Sequence, residues 1–499
     1  MKLTNMKPLA SALTALALMF SVACTVGPKY ARPNVPTAPT DTFKESDGWK
    51  TAQPSDQFQR GPWWEVFNDP ELNKLETQLT ASNQDLKVAE ARYRQARATV
   101  RINRSALFPT ISTNPGIDTI RDSAHQPYLQ STSTTGEFVL PFDVSYEVDV
   151  WGRVRRTVAA SREEAQATAG DFETASLSLH AELAFDYFEL RSADAQKKLL
   201  DDTVKSFQDA LQLTTNRFEG GVAPKSDVDQ AETQLQATIV QDSDVGVQRS
   251  QFEHAIAILL GEPPAAFSLP LTPLQEQPPD IAPGLPSQLL ERRPDIAAAE
   301  RRVAEANEQI GIAKAAYYPT ISLGGSGGFE GTDISNWFTW PSRFWAVGPS
   351  ALETLFDAGR RHATSQAALA NYDATVATYR ETTLTALQQV EDNIAALRIL
   401  EQEAQQQHQA TASAQESLQI FNDRYTGGID PYLQVLTAQT IALQNERNDV
   451  DILRRRMDAT VLLIKALGGS WNVSQLPTSQ QVGQREPDQH PRTASTGGN

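Results

Sequence analysis

Cysteine is nearly missing from this chain of 499 residues: Cys24 is the only one. That excludes an intramolecular disulfide and a cysteine-clustered zinc site. His125, His180, His254, His362, His408 and His490 are scattered without a paired metal-ligand spacing. Neither a phosphate-binding loop nor a nucleophile elbow is found, so no catalytic residue, metal or cofactor is expected and the chain does not read as an enzyme. Positive charge is also in deficit, with a net charge of -17 and a pI near 4.9. Such a surface repels phosphate backbones, and no basic patch offsets it, so no nucleic-acid partner is expected. Aromatic residues make up only 8% and mean hydropathy is -0.41, which suits long helices with narrow apolar seams better than several compact cores. Beyond the N-terminus no stretch supplies the roughly 18 to 20 apolar residues of a spanning helix. If the chain crosses a membrane, it must do so with strands closed into a barrel, because lipid tolerates no unpaired sheet edge.

The one apolar stretch lies at the start, where Lys2 and Lys7 precede Leu9 to Ala23. It reads as a signal peptide, residues 1–23. Cys24 follows Ser21, Val22 and Ala23, which resembles a bacterial lipoprotein cleavage box, although Ser21 stands where Leu is usual. Cys24 is therefore the expected lipidation site, and Thr25 beside it resembles the outer-membrane sorting pattern. A simple signal peptide with an incidental cysteine is the alternative.

What the chain has is an internal duplication. Without gaps, Asp85-Leu86 through Phe108-Pro109-Thr110-Ile111-Ser112 matches Asp295-Ile296 through Tyr318-Pro319-Thr320-Ile321-Ser322, at an offset of 210. Gly152-Arg153 then matches Gly359-Arg360, Arg217-Phe218 with Gly220-Gly221 and Pro224 matches Arg424-Tyr425 with Gly427-Gly428 and Pro431, and Leu260-Gly261 matches Leu467-Gly468. All three share an offset of 207. Landmarks in one order at one offset mean two copies of one unit.

Each copy reads as helix, two strands, long helix, turn, helix. Asp69-Pro70 supplies a helix start, and the helix runs until just before Pro109. Thr110 to Arg121 and Gly136 to Asp149 are β-rich, and Phe138, Leu140, Phe142, Val144, Tyr146 and Val148 fall at every second position. That alternation fits a strand with lipid on one side and a polar lumen on the other, or else a small soluble sheet. In the second copy Ile321 to Glu330 and Arg343 to Phe356 take these parts, and Trp337, Trp340, Phe344 and Trp345 suit a membrane-interface girdle. From Arg153 to Arg217 only Gly170 interrupts a helical pattern, and Arg360 to Arg424 holds neither Pro nor Gly. Leu387, Val390, Ile394 and Leu397, and likewise Leu177, Ala181, Ala184 and Phe188, step as a coiled-coil seam. A plain two-helix stalk has the same periodicity. The expected organisation is residues 24–68 as an extended segment, 69–261 and 283–470 as the two repeats, 262–282 as a Pro-rich crossover, and 471–499 as a disordered tail.

Four strands per chain cannot close a barrel of useful bore, so closure requires further copies, and three chains would supply twelve strands. Cys24-Thr25-Val26-Gly27-Pro28-Lys29-Tyr30 with Arg32-Pro33, Trp63-Trp64, Arg292-Arg293-Pro294-Asp295, Tyr318-Pro319-Thr320 and Leu355-Phe356-Asp357 with Gly359-Arg360 together carry a family resemblance. Over almost all of the mature length the chain resembles the outer-membrane factor family of TolC-like and OprM-like channels, in its NodT-type lipoprotein branch. The resemblance implies a mainly α protein with a transmembrane β-barrel: a homotrimer with a 12-stranded barrel in outer-membrane lipid and a long periplasmic α-helical barrel. It further implies a periplasmic adaptor and an inner-membrane pump as partners, with passive conduction of small molecules. By the same similarity Arg217, Asp227, Arg424 and Tyr425 fall at the periplasmic aperture, and Gly220, Gly221, Gly427 and Gly428 form the helical-tip turns. Gln434 and Thr437 stand where related channels carry acidic residues, so a cation-selecting carboxylate ring is not expected. A periplasmic coiled-coil scaffold or adaptor without a pore is the alternative reading, and it leaves the alternating strands unexplained.

Overall fold

The computed structural model describes residues 25–35, 43–46, 62–121, 123, 134–274, 277–281 and 289–484. The expected signal peptide and Cys24 lie outside the described residues, as do 485–499 of the expected tail.

Helix α1 (Pro70–Ser82) starts where Asp69 accepts from the amides of Glu71 and Leu72 at 2.8 and 3.1 Å. These bonds satisfy two donors that a helix start leaves open. The single opening helix expected from sequence is two, because Asn83 is extended and begins α2 (Gln84–Ser105). Its side chain accepts from Leu86 N and donates to the Leu259 carbonyl, both at 2.8 Å. A buried amide satisfied on both sides replaces the continuous helical ladder there.

The sheet contains β1 (Thr110–Ser112), β2 (Gly116–Arg121), β3 (Thr134–Val148), β4 (Thr320–Gly331) and β5 (Arg343–Leu352). All pairings are antiparallel: β1 and β2 lie end to end along one side of β3, β4 on its other side, and β5 beyond β4. The first expected strand is thus broken at Thr113 to Pro115, where Pro115 lacks a backbone donor. The last ends at Leu352 rather than Phe356, because Asp357 accepts from the amides of Gly359 and Arg361 and turns the chain into the next helix.

Register sorts the faces. Phe142 stands opposite Gly327, which stands opposite Trp345, and Val144 opposite Gly325, which stands opposite Val347. Large side chains therefore flank small ones on one apolar face that also carries Phe138, Leu140 and Leu323. The other face carries Asp118 opposite Glu137, with Asp143 opposite Ser326 and Glu147 opposite Ser322. Among the described residues the outer edges of β1, β2 and β5 have no strand partner.

The helices are α3 (Arg153–Glu219), α4 (Lys225–Leu259), α5 (Pro294–Ala315), α6 (Arg360–Thr426) and α7 (Tyr432–Ala466). The duplication survives in length: α3 and α6 have 67 residues each, α4 and α7 have 35 each. At 1.5 Å per residue the longer pair are rods of roughly 100 Å. Midway along both, Ala181, Ala184 and Phe188 of α3 and Val390, Ile394 and Leu397 of α6 contribute to one core with Trp63, Phe67, Leu72, Leu79, Ile256 and Leu463. Fully burying a Leu or Phe there stabilises by roughly 1.5–3 kcal/mol, so this belt anchors both rods. Within it His180 lies 2.5 Å from Glu76 and stacks on Trp64. Burial pushes the imidazole down to about 4 and the Glu76 carboxyl well above its usual range.

Residues 471–484 correct the expectation of a disordered tail. Trp471 and Val482 are buried, the latter against Val100 and Ala165, and Gln166 donates to the Pro477 carbonyl at 2.7 Å. Two apolar anchors and paired carbonyls hold a segment whose average composition is polar.

Candidate functional site: the two hairpin tips

The tips lie at the ends of α3 and α6. Each reverses in a two-bond C-terminal cap: Val222 N donates to Arg217 O and Gly221 N to Phe218 O, just as Ile429 N donates to Arg424 O and Gly428 N to Tyr425 O, each at 2.9 or 3.0 Å. Only the second glycine of each pair needs the left-handed region, with φ 72° at Gly221 and 76° at Gly428. Gly220 and Gly427 are helical, so the glycine pairs do not share one role. Nothing lies within 4 Å of a side chain built on Gly221; conformation, not space, requires glycine there.

Three of the four aperture residues named from sequence converge. The Arg217 guanidinium stacks 4.7 Å from the Tyr425 ring centre, and its Nη1 donates to the Thr426 carbonyl at 3.2 Å, tying the end of α3 to the end of α6. A cation over an aromatic face contributes about 0.5–1 kcal/mol at an exposed site and more when desolvated. Tyr425 is buried against Tyr432, Ala231 and Val435, with ring centres of the two tyrosines 5.3 Å apart. The Asp227 carboxylate, on the first turn of α4, acts on both rings. Burial pushes the Tyr425 phenol up, with the Asp227 charge adding to this and Arg217 opposing it; Tyr432 is pushed up to about 12, burial again leading. Asp227 itself is raised by burial, against the pull of Ser226 and Arg217. The phenol oxygen of Tyr425 has no hydrogen-bond partner among the described residues.

Arg424 turns away from this cluster. It grips Asp430 with two bonds, Nε to Oδ2 at 2.6 Å and Nη2 to Oδ1 at 3.1 Å, and holds that carboxyl below its usual range. Asp430 and Tyr432 are the tip residues that sequence reasoning did not select, although a carboxylate six positions after an arginine, across a glycine turn, was the available signal. Gln434 and Thr437 are both exposed on α7, without a carboxylate between them.

Among the described residues no helix is long and apolar enough to cross a membrane. The two-faced sheet of strands, continued by rods that end in a polar and aromatic cluster, defines a class of mainly helical proteins with a small β domain at one end of long helical hairpins. The family model for outer membrane efflux proteins matches residues 75–262 and 285–469, and the chain belongs to that family, whose members are channels rather than enzymes. It is similar to the probable efflux pump outer membrane protein TtgC of Pseudomonas putida, 30% identical over 96% of this chain and 99% of the relative. It is also similar to outer membrane protein OprJ of Pseudomonas aeruginosa, 31% identical over 94% of this chain and 97% of that one. The solved outer-membrane channel OprN superposes with a TM-score of 0.82 at 30% identity, over 90% of this chain and all of that one. The chain is thus an outer-membrane channel component for efflux, mainly helical with a β domain.

Proposed function

We propose that three copies of this chain close one twelve-stranded barrel and one helical tube, anchored in the outer membrane through lipid on Cys24. The carrying observation is the sheet, with one apolar face, one acidic and serine-bearing face and two unpaired edges. Cyclic closure removes both edges, turns the apolar face to lipid and leaves the polar face lining a lumen. Trp340 and Trp345, each nearly four-fifths exposed, then sit where an aromatic girdle belongs.

The tips are the gate. Arg217, Tyr425 and Thr426 on one side and Arg424 with Asp430 on the other are breakable polar contacts at the narrow ends of the rods, suited to two discrete arrangements. Val222 and Ile429, at the crests of the two turns, are 71% and 68% exposed and offer an apolar landing for a periplasmic adaptor. An inner-membrane pump coupled through that adaptor supplies the energy, and conduction through this chain is passive.

Single-channel recording of the purified mature protein in planar bilayers tests this. Discrete current steps that increase with Tyr425→Phe combined with Arg424→Ser are expected. Inserted trimers that stay silent in both the parent and the double variant would rule out the pore.

A further inference from the structure

The shortage of positive charge across the chain has one local exception. Helix α2 carries six basic residues, Lys87, Arg92, Arg94, Arg97, Arg101 and Arg104, against two acidic ones, Asp85 and Glu90. Its counterpart in the second repeat, α5, carries three basic and four acidic residues. Both carboxylates of α2 lie in its first two turns, so the excess gathers at the end that leads into the sheet. There Arg101, Arg104, Ser105 and Phe108 line a groove of about 610 Å³ whose far wall is Gly483 and Gln484. That wall is held in place: Val482 is buried against Val100, and Arg97 Nη2 donates to the Gln484 carbonyl at 3.0 Å. Arg101 and Arg104 stand one turn apart and are both exposed. Arg153 and Arg155, which follow β3 at the same end of the sheet, are paired with Glu147 and Asp149, but among the described residues neither Arg101 nor Arg104 meets a carboxylate.

The second repeat shows what occupies the matching place. At the offset of 210, Arg101 corresponds to Gly311 and Phe108 to Tyr318. A side chain on Gly27 would lie 2.6 Å from the Gly311 Cα, so the N-terminal segment lies directly on α5 there, three residues after Cys24. Beside it Val26 N donates to the Trp151 carbonyl at 3.1 Å, and the Trp151 ring stacks on Tyr318 with centres 4.7 Å apart. Phe108 has no ring over it among the described residues and is 62% exposed. One repeat thus carries the segment that follows Cys24 at this level, and the other an open groove with two arginines beside a bare ring. Apolar surface continues from that ring up the sheet, because Ile111 of β1 stands opposite Val144 on the apolar face.

We infer that the groove between α2 and residues 483–484 binds the phosphate headgroup of an anionic phospholipid of the periplasmic leaflet, with its acyl chains directed over Phe108 and Ile111. The inference rests on the membrane placement proposed above and adds a second, non-covalent lipid contact at the place that corresponds to the covalent one. Two guanidiniums one helical turn apart present forked donors to the oxygens of a phosphodiester, and the bound anion removes the repulsion between them. An anionic headgroup is favoured over a zwitterionic one because no carboxylate lines the groove to answer a choline or ethanolamine cation.

The test reconstitutes the full mature chain in nanodiscs of phosphatidylcholine with a minor share of phosphatidylglycerol, and counts by native mass spectrometry the lipids that stay bound on release. The parent is expected to retain phosphatidylglycerol well beyond its share, and Arg101→Gln with Arg104→Gln to lower that retention roughly 30-fold. Phe108→Ser, which leaves both arginines in place, should lower it less. A Gln variant that forms trimers and retains as much phosphatidylglycerol as the parent would overturn the site alone. So would release of the lipid by millimolar inorganic phosphate, which would make the groove a plain anion site. A Gln variant that no longer forms trimers would assign the two arginines to the joint between copies and overturn the site as well. Parent protein that never enters the nanodiscs would overturn the membrane placement itself.

Discussion

The two tips share a backbone and differ in nearly every side chain that could act as a latch. Both turn on the same pair of capping bonds with a left-handed glycine in the same place. Yet Tyr425 in the second tip corresponds to Phe218 in the first, Asp430 to Ala223, and Tyr432 to Lys225, while Asp227 in the first corresponds to Gln434 in the second. Tyr425 is 4% exposed and Phe218 is 42% exposed. Duplication preserved what the reversal demands, while the contact between the tips is made once, by the Tyr425 ring and Thr426 carbonyl of one tip against the Arg217 guanidinium of the other. In the gate proposed above, two unlike halves part without either hairpin unfolding.

The contrast breaks most visibly at the buried ring. Tyr425→Ala should destabilise the tip by on the order of 3 kcal/mol and raise leak current, while Phe218→Ala should do little; hydrogen exchange of the turn amides and bilayer recording read both. Equal sensitivity of the two tips would mean that their packing is equivalent after all. The shared backbone predicts the opposite symmetry: Gly221→Val and Gly428→Val should each cost about 1–2 kcal/mol, seen as matching drops in thermal midpoint. Asp430→Ala, which makes the second turn like the first, should free Arg424 and raise leak current, and Ala223→Asp should raise it as well, by offering Arg217 a grip within its own turn that draws it off Tyr425 and Thr426.

The smallest effect is that of pH. Asp227 is raised by burial, so in the folded tip it takes up its proton at higher pH than an open carboxyl does, and the folded tip gains relative to the unfolded one as pH falls towards the ordinary carboxylate range. Asp430 is held low by Arg424, so its contribution is present above the ordinary carboxylate pKa and is lost only below it. Leak current titrated downward from pH 7 should therefore change first through Asp227, in a step abolished by Asp227→Asn, with the Arg424–Asp430 clasp still closed.

Much of this was legible in the residues. Period-two alternation set the apolar face of β3, the absence of Pro and Gly foretold α6, and the glycine pairs marked both reversals. What escaped depended on partners far away in sequence. Asn83 breaks the first helix because Leu259 accepts its amide, 176 residues on. Residues 471–484 are held because Val100, Ala165 and Gln166 lie beneath them. Arg424, expected at the aperture, was named without its partner Asp430, since an arginine on a helix end announces a charge but not the direction in which it reaches.

The free edges of the sheet bear on the order of events at the membrane. A protomer entering lipid alone would carry the outward backbone amides and carbonyls of β5 and of β1 and β2 into hydrocarbon, each unsatisfied group costing several kcal/mol. That sum exceeds the marginal stability of an ordinary domain. Entry one chain at a time is therefore uphill, and in the proposed trimer the strand edges that carry this cost are paired by neighbouring copies, so membrane entry and assembly are coupled.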